Sequence, residues 1–262
     1  MASASIPEIN LNSGTGKIPA LGFGTASDPP VDSQTIKTAV LQAIELGYRH
    51  FDTAALYNSE QPLGEAIAEA VNRRLIGSRR DLFITSKLWC SDAHPQHVAP
   101  ALSTTLKNLD TNYIDLYLIH WPVSAKAGKV EYPIKAEDFA PMEFGSVWAA
   151  MEECQRIGLT KAIGVSNFSS KKLLEILATA KIPPAVNQVA LRWAYEQGIG
   201  VVMKSFNRER MKGNMSIFDW WLSSQEVDMI SEIPQGRACL GLDYTSIYGP
   251  YKTIQQLWDE DI

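Results

Sequence analysis

The chain has 262 residues, of which 45% are hydrophobic and 20% are charged, and its formal net charge is -5. A disordered chain would contain fewer apolar residues, and a nucleic-acid-binding protein would usually carry a basic excess, so the composition argues against both classes. The length fits either two ordinary domains or one α/β barrel, because such barrels run to roughly 250 residues as a single domain.

Cysteine usage and the first residues indicate a cytoplasmic protein. Cys90, Cys154 and Cys239 lie far apart and show no CxxC spacing, which predicts reduced thiols. The segment Met1–Asn10 lacks the basic and apolar parts of a signal peptide. No apolar run reaches the roughly 18 residues that cross a membrane, so we expect no membrane partner.

Short apolar strands alternate with helices along the chain. A hairpin of Glu8–Leu11 and Lys17–Ala20 comes first. Seven strands are predicted after it, over Leu21–Thr25, Tyr48–Asp52, Leu82–Lys87, Ile114–His120, Ala162–Ser166, Ala185–Val189 and Gly200–Lys204. The predicted helices cover Ser33–Leu46, Glu60–Arg74, Gln96–Leu109, Ser146–Ile157, Ser170–Ala180 and Leu191–Gln197, with another beginning near Arg208. Asp32, Ser59 and Ser169 are predicted to cap the first, second and fifth of these helices, and Gly47 to follow the first. Serial βα units predict a parallel sheet, and we expect a single domain over residues 1–262 that is either an α/β barrel or a doubly wound sheet.

Polar residues end six successive strands of this pattern. They are Asp52, Lys87, His120, Ser166–Asn167, Asn187–Gln188 and Lys204–Ser205, and Tyr57 lies in the loop just after the first of them. In a barrel the carboxyl ends of all the strands meet at one mouth, where catalytic groups project. The repeated polar ends therefore favour a barrel with a site at this mouth.

Four of these residues can act together on a carbonyl group. The ammonium of Lys87 would favour the phenolate of Tyr57, which predicts a lowered pKa for the tyrosine. Asp52 can be the counter-ion of Lys87, and His120 can orient a carbonyl oxygen, so that the group would protonate a developing alkoxide. The alternative is that Asp52 and Lys87 form only a buried ion pair and that Tyr57 and His120 merely pack.

Two histidines that lie close together in the sequence could suggest a metal site. His94 and His97 have no cysteine or third histidine nearby, and Pro95 lies between them. We therefore expect no metal site.

Three ordered motifs resemble those of the aldo-keto reductases. Residues 47–64 (GYRHFDTAALYNSEQPLG) match the first signature of that family, and residues 162–168 (AIGVSNF) match the second. Residues 202–214 (VMKSFNRERMKGN) are similar to the third, with Met203 where many members carry proline. The stretch at 148–154 (WAAMEEC) resembles the plant branch of the family.

The resemblance implies a TIM-type (β/α)8 barrel that reduces carbonyl groups with NADPH. It implies that Tyr57 is the general acid, that Lys87 lowers its pKa, that Asp52 holds the lysine and that His120 orients the substrate. The residues implied for NADPH binding are Gly24, Thr25, Asp52, Ser166, Asn167, Gln188, Lys204, Ser205, Phe206, Asn207, Arg210 and Asn214. The residues implied for the substrate side are Trp89, His120 and Trp121, together with the loop at 122–145 and the aromatic tail from Ala238.

A basic cluster near the third motif bears on the choice of cofactor. Lys204, Arg208, Arg210 and Lys212 suit a 2′-phosphate, which favours NADPH over NADH. The helix that begins near Arg208 would add backbone amides at its N-terminus. The alternative is a solvated basic helix face.

The predicted strand count is seven, whereas the family has eight. In relatives the segment that ends at Gln188–Val189 and the segment that begins at Ala190 are separated by another βα unit and more. This chain therefore resembles the family with about one βα unit missing. In the family the missing stretch carries an aromatic residue that stacks on the nicotinamide and a loop that clasps the pyrophosphate. Because strand number, shear and tilt are linked, removing a strand either forces a smaller barrel or exposes two sheet edges.

The resemblance implies an NADPH-dependent reductase that acts on a small-molecule ketone or aldehyde in plant specialised metabolism, and we expect a cytoplasmic monomer. The missing unit leaves a second reading open, in which the chain is a catalytically impaired or silent product such as a splice form or a faulty gene model. A nucleotide-sensing regulatory subunit is a third reading.

Overall fold

The computed structural model of the chain describes residues 6–11, 16–128, 132–185, 201–218 and 240–259. The strands within these ranges are β1 Glu8–Asn10, β2 Lys17–Pro19, β3 Leu21–Gly24, β4 His50–Asp52, β5 Phe83–Leu88, β6 Ile114–Ile119, β7 Ser124–Ala125, β8 Phe139–Ala140, β9 Thr160–Val165 and β10 Val201–Met203. The α-helices are α1 Ser33–Leu46, α2 Glu60–Asn72, α3 Pro95–Asn108, α4 Phe144–Arg156, α5 Ser170–Leu177, α6 Arg208–Met215 and α7 Ile254–Trp258.

Six parallel strands form the central sheet, in the order β10-β3-β4-β5-β6-β9. From β3 to β9 each strand of this sheet lies beside the next one along the chain, and β10 returns to pair with β3. Val201 is opposite Leu21, and Met203 is opposite Phe23. This order is that of a barrel and not of a doubly wound sheet, in which the strand order reverses at a switch point. The TIM-type α/β fold is therefore confirmed.

Six of the seven predicted barrel strands lie in the part of the chain that the structure describes. The remaining one, Ala185–Val189, and the helix Leu191–Gln197 lie outside it, except for Ala185. The backbone N–H of Ala185 donates to the carbonyl oxygen of Ile163 in β9 at 2.9 Å. The chain therefore begins to pair along β9 where the sixth strand was predicted to start.

The N-terminal hairpin is confirmed as an antiparallel pair of β1 and β2, with Ile9 opposite Ile18. The buried residues of one core cluster join the hairpin to the bottom of the barrel; they are Leu11, Ile18, Leu116, Leu118, Ala162 and Ala185. Burying these apolar side chains holds the hairpin against the amino ends of the strands.

The helix boundaries agree with the sequence to within a few residues. Asp32 caps α1 by accepting from the backbone N–H of Thr35 at 2.7 Å, and Gly47 ends the helix with φ 103°, as predicted. Ser169 caps α5 by accepting from Lys172 N at 3.2 Å. The helices pack on the outer face of the sheet over a large apolar core. None of the helices in the described ranges is long and apolar enough to span a membrane.

Ser59 does not cap α2, contrary to the sequence prediction. Its hydroxyl instead lies 2.7 Å from Thr25 Oγ1 and 2.7 Å from Thr53 Oγ1, and all three side chains are buried. The tertiary partners outcompete the local backbone for this hydroxyl. The bonds tie the ends of β3 and β4 to the start of α2.

Three of the strands and helices named above were not predicted. β7 and β8 form an antiparallel ribbon inside the long loop after β6, and α7 lies near the end of the chain. Each of these segments is at most five residues long, and such short segments leave little periodic signal in a sequence.

Candidate active site

The carboxyl ends of three neighbouring strands bring the predicted catalytic residues together. Asp52 ends β4, Lys87 lies one residue before the end of β5, and His120 follows β6. Tyr57 ends a short 3-10 helix, Ala55–Tyr57, in the loop that leaves β4. Because these strands are parallel and adjacent, the four side chains converge at one mouth of the sheet.

Lys87 is 3% exposed and is held by two oxygens. Its Nζ donates to Oδ1 of Asp52 at 2.5 Å and to the carbonyl oxygen of Thr53 at 2.9 Å. Burial lowers the pKa of Lys87, but the negative charge of Asp52 and the neighbouring Tyr57 outweigh burial, and the pKa is raised overall. The lysine is therefore a fixed ammonium, and its Nζ lies 4.8 Å from the centre of the Tyr57 ring.

The pKa of Tyr57 is raised and not lowered, so the sequence prediction was wrong in its net direction. Burial raises the pKa of Tyr57 by more than the positive charge of Lys87 lowers it, and Asp52 adds to the rise. The lysine acts in the predicted sense, but desolvation of a phenolate dominates. Tyr57 is consequently a protonated donor at neutral pH.

His120 is buried beside Tyr57 and is neutral. Its Nε2 lies 3.2 Å from the Tyr57 hydroxyl oxygen. Burial and the charge of Lys87 hold the pKa of His120 well below its usual range. The ring of Trp89 meets the imidazole edge to face, with centroids 5.3 Å apart, which fixes its orientation. A hydroxyl and an imidazole nitrogen therefore share one small polar spot in an apolar wall.

Ser166 and Asn167 follow β9 and adjoin this spot. Asn167 has φ 61°, and its Nδ2 donates to the carbonyl oxygen of His120 at 2.8 Å and to Ser166 Oγ at 3.1 Å. The left-handed backbone of Asn167 turns its side chain back toward the end of β6. These two residues, both predicted for the cofactor, therefore lie at the same mouth as the four polar residues.

Gly24 and Thr25 stand at the end of β3. The Thr25 hydroxyl donates to the carbonyl oxygen of Asp52 at 3.0 Å and also contacts Ser59. Thr25 thus braces Asp52 through its backbone. A Cβ on Gly24 would lie 3.3 Å from Cγ1 of Val202, so the glycine allows β3 and β10 to approach closely at this position.

A separate cleft of about 860 Å³ lies at the end of β10 and along α6. Its lining residues are Lys204, Ser205, Phe206, Glu209, Arg210, Gly213 and Asn214. Asn207, which was predicted to contact the cofactor, caps α6 with its side-chain oxygen, which accepts from Arg210 N at 3.0 Å. Ser205 is buried and accepts from Asn207 N at 3.2 Å, which shapes the turn into the helix.

The predicted basic cluster divides into two parts. Lys204 and Arg210 line the cleft, whereas Arg208 donates to Glu45 of α1 at 3.0 Å. Lys212 is exposed and is not among the cleft residues. Arg208 therefore serves the packing of α6 on α1, and only part of the cluster faces the cleft.

Aromatic side chains form a wall beyond Trp89 and His120. Tyr244 stacks on Trp121 with ring centroids 3.9 Å apart, and the ring centroids of Trp258 and Trp121 are 6.0 Å apart. Both predicted substrate tryptophans, Trp89 and Trp121, are buried in this cluster. Among the predicted site residues, Gln188 lies outside the described residues.

The histidine pair at 94 and 97 makes contacts other than metal ligation. Nε2 of His94 lies 2.7 Å from the carbonyl oxygen of Ala125, and its ring lies edge to face on His97. No group of three or more metal-ligating side chains occurs in the ranges that the structure describes.

Two roles had no signal in the sequence. The hydroxyl cluster of Thr25, Thr53 and Ser59 joins residues up to 34 positions apart. Glu60 is buried and accepts from Ser86 at 2.7 Å and from Thr105 at 2.8 Å. Neither set has a characteristic spacing, so only the fold brings its members together.

The sheet is of the TIM type, and its carboxyl end carries a buried lysine–aspartate pair, a tyrosine and a histidine. These features are typical of α/β-barrel enzymes that use acid–base chemistry. The model of the aldo/keto reductase family matches residues 20–190, and the chain belongs to this family. The chain is 46% identical to NADPH-dependent codeinone reductase 1-4 of Papaver somniferum and 45% identical to 7-acetyl-epi-neemfruitin B aldo-keto reductase of Melia azedarach, each over 99% of both chains. A Bombyx mori aldo-keto reductase in complex with NADP has 27% identity and a TM-score of 0.79, over 87% of this chain and 93% of that one.

The alignments also bear on the missing unit. Both plant alignments run over 320 positions, whereas the chain has 262 residues, so at least 58 positions lie opposite a gap in this chain. The family match ends at residue 190, two residues after Gln188. The alignment lengths give the size of the missing segment, and the end of the family match agrees with its predicted position after Gln188.

Proposed function

We propose that this protein is an NADPH-dependent reductase that converts a ketone or an aldehyde to an alcohol, with Tyr57 as the general acid. Membership of the aldo/keto reductase family makes it an oxidoreductase. The observation that carries the assignment of roles is the 3.2 Å approach of Tyr57 Oη and His120 Nε2 beside a buried lysine–aspartate pair.

The four polar residues would divide the work on the carbonyl oxygen. The neutral imidazole of His120 donates from Nε2 to that oxygen and orients it. As negative charge develops on the oxygen, the Tyr57 hydroxyl transfers its proton there. The ammonium of Lys87 then stabilises the phenolate left behind, and Asp52 keeps the lysine charged and in place. The pair is anchored before the reaction begins, so it needs little reorganisation.

The cleft beside α6 fits the phosphate-bearing part of a dinucleotide. Two cations, Lys204 and Arg210, stand there with a hydroxyl and an amide from Ser205 and Asn214, which is a donor set that suits phosphate oxygens. Phe206 would line the adenosine end.

The nicotinamide end of the cofactor would lie at the catalytic mouth. Ser166 and Asn167 stand there and would hold the nicotinamide carboxamide. NADPH supplies the hydride to the carbonyl carbon when it is bound. The polar spot of Tyr57 and His120 adjoins these two residues, so the proton and the hydride would reach the same carbonyl group.

The wall formed by Trp89, Trp121 and Tyr244 supports an extended, ring-bearing substrate, because flat apolar surfaces bind such molecules well. The plant relatives are named as reductases of codeinone and of 7-acetyl-epi-neemfruitin B, and this supports a role in plant specialised metabolism. We further propose that the chain works as a single domain over residues 1–262 and as a monomer. We also propose a cytoplasmic location, since the cysteines are scattered and the described Cys90 and Cys154 are free and buried.

The direct experiment follows NADPH oxidation by the purified chain with a panel of aldehydes and aromatic ketones. The expected result is turnover with at least one carbonyl, which Tyr57→Phe abolishes. Tyr113→Phe is a matched control, because Tyr113 lies at the opposite end of the barrel near Arg79 and Lys161. Turnover that survives in Tyr57→Phe would overturn the assigned role.

A second function is favoured by the gap of at least 58 positions relative to the plant enzymes. In this reading the chain is a folded but catalytically silent member of the family, because the missing stretch contributes to the cofactor site in relatives. Fluorescence titration with NADPH separates the two. A cooperative, monodisperse monomer that binds NADPH and turns over a carbonyl excludes the silent form, whereas a folded protein without NADPH binding establishes it.

A further inference from the structure

A buried lysine joins the C-terminal tail, residues 240–259, to the first turn of α5, the helix that follows β9. Lys172, in the first turn of α5, is 3% exposed. Its Nζ donates to Oδ2 of Asp259 and to the carbonyl oxygen of Leu257, the latter at 2.8 Å. The same nitrogen lies 4.8 Å from the centre of the Tyr251 ring. One ammonium therefore satisfies the end of α7 and faces an aromatic ring of the same tail.

Asp259 is held from three sides at the start of α5. Besides Lys172, Ser169 Oγ donates to its Oδ2 at 2.5 Å, and Nζ of Lys171 lies 3.6 Å from its Oδ1. Ser169 also caps α5 through Lys172 N. The carboxylate thus lies at a helix N-terminus, where negative charge is favoured, and Asp259 ends α7 with φ 55°. We call the contact of Lys172 and Ser169 with Asp259 the tail latch.

Ser169, one residue of the tail latch, lies close in the sequence to the candidate active site. Ser169 comes two residues after Asn167, whose side chain donates to the carbonyl oxygen of His120 at 2.8 Å. The other side of the latch, α7, carries Leu257 and Trp258, which are buried against the aromatic wall. Trp258 Nε1 donates to the carbonyl oxygen of Leu240 at 2.8 Å, so α7 also holds the beginning of the tail.

The aromatic wall depends on the position of this tail. Tyr244 belongs to the tail and stacks on Trp121, which belongs to the loop after β6. A Cβ on Gly241 would lie 2.9 Å from Leu257 and 3.1 Å from Trp121, so the tail is closely packed there. A tail that moved away from α5 would remove Tyr244 from the aromatic wall proposed for the substrate.

We propose that Lys172 is a positioning residue whose latch to Asp259 holds the aromatic wall in place and thereby sets the preference of the enzyme for large carbonyl substrates. This inference rests on the proposed reductase function. A small aldehyde needs only the spot beside Tyr57 and His120, whereas a two-ring ketone also needs the wall. The latch therefore acts on the KM of large substrates and leaves the chemistry untouched.

The test compares Lys172→Met and Asp259→Asn with the matched control Lys171→Met. Lys171 is the adjacent lysine, with a side chain that is 70% exposed, so its variant removes the same charge without removing the buried contact. The probes are propanal and a two-ring aromatic ketone. We expect both latch variants to raise the KM of the ketone about tenfold, with the KM of propanal and the Kd of NADPH unchanged. Lys171→Met should match the unaltered chain, and Asp259→Glu should recover part of the loss.

Hydrogen exchange supplies a readout that does not depend on turnover. In both latch variants the amides of residues 254–259 should lose protection, while those of α1 keep it. Unchanged protection would overturn the latch itself. A parallel loss of NADPH affinity and of both carbonyl activities would show a merely structural role and would overturn the proposal. A chain that is inert with every carbonyl contradicts the reductase function and the substrate preference together, while the exchange data still decide whether the latch exists.

Discussion

Nε2 of His120 and the hydroxyl oxygen of Tyr57 lie 3.2 Å apart, and both groups are neutral at physiological pH for the same reason. Burial is the largest influence on each, raising the pKa of Tyr57 and lowering that of His120. The ammonium of Lys87 opposes burial at Tyr57 and reinforces it at His120. The site therefore holds a protonated acid beside a neutral imidazole, which is the combination that a carbonyl reduction needs.

These directions predict the pH dependence of the reaction. Tyr57 must be protonated to act as an acid, and its raised pKa keeps it so, while the lowered pKa of His120 keeps the imidazole neutral. We expect kcat for reduction to be independent of pH from about 6 to 9 and to fall only above that range. Oxidation of the product alcohol needs the phenolate and should become faster as the pH rises. A change in kcat for reduction near the ordinary pKa of histidine would contradict this assignment of protonation states.

Removing the counter-ion of Lys87 should destabilise the protein strongly. Asp52→Ala leaves a buried ammonium without its carboxylate, and we expect a loss of about 3–5 kcal/mol in the free energy of unfolding. The double variant Asp52→Leu with Lys87→Met removes both charges and should recover most of that stability without recovering activity. Urea unfolding followed by circular dichroism measures both. A double variant as unstable as Asp52→Ala would show that packing and not charge is responsible.

The cleft beside α6 predicts which cation discriminates between the cofactors. Arg210→Ala should raise the Kd of NADPH by about 10- to 100-fold, because charged hydrogen bonds to a phosphate are lost. The Kd of NADH, which lacks the 2′-phosphate, should change much less.

Arg208→Ala is the matched control, since Arg208 pairs with Glu45 and does not line the cleft. Fluorescence titrations of both cofactors give the comparison. Equal losses in the two arginine variants would contradict the assignment of Arg210.

Two glycines in helices should respond in opposite ways to alanine. A Cβ on Gly64 would lie 2.7 Å from the carbonyl oxygen of Leu109, so Gly64→Ala must push α2 away from the end of α3 and should cost about 1–3 kcal/mol. A Cβ on Gly213 would have no atom of the described residues within 4 Å, and Gly213→Ala should stabilise α6 by about 0.5–1 kcal/mol. Thermal unfolding of the two variants tests the pair. A Gly64→Ala variant as stable as the unaltered chain would mean that α2 and α3 can move apart at no cost in stability.

The barrel class and the convergence of Asp52, Tyr57, Lys87 and His120 could be predicted because their signals are local. The strands are short and rich in apolar residues, and Asp52, Lys87 and His120 stand at or next to their carboxyl ends. The N-terminal hairpin and the caps at Asp32 and Ser169 were also predictable from short patterns.

Features that depend on distant partners could not be predicted. The net pKa of Tyr57 depends on its burial by the surrounding structure, which the neighbouring lysine alone does not reveal. Arg208 was grouped with the phosphate cations, although its partner Glu45 is 163 residues away. The contact between Lys172 and Asp259 spans 87 residues and follows no motif.

The most direct test of the central claim is a transfer experiment with NADPH that carries deuterium at the hydride position of the nicotinamide. Mass spectrometry of the product alcohol counts the deuterium atoms delivered to the carbonyl carbon. The account predicts one deuterium per product with the unaltered chain and with Tyr113→Phe, and no detectable product with Tyr57→Phe. Labelled product formed equally well by Tyr57→Phe would contradict it.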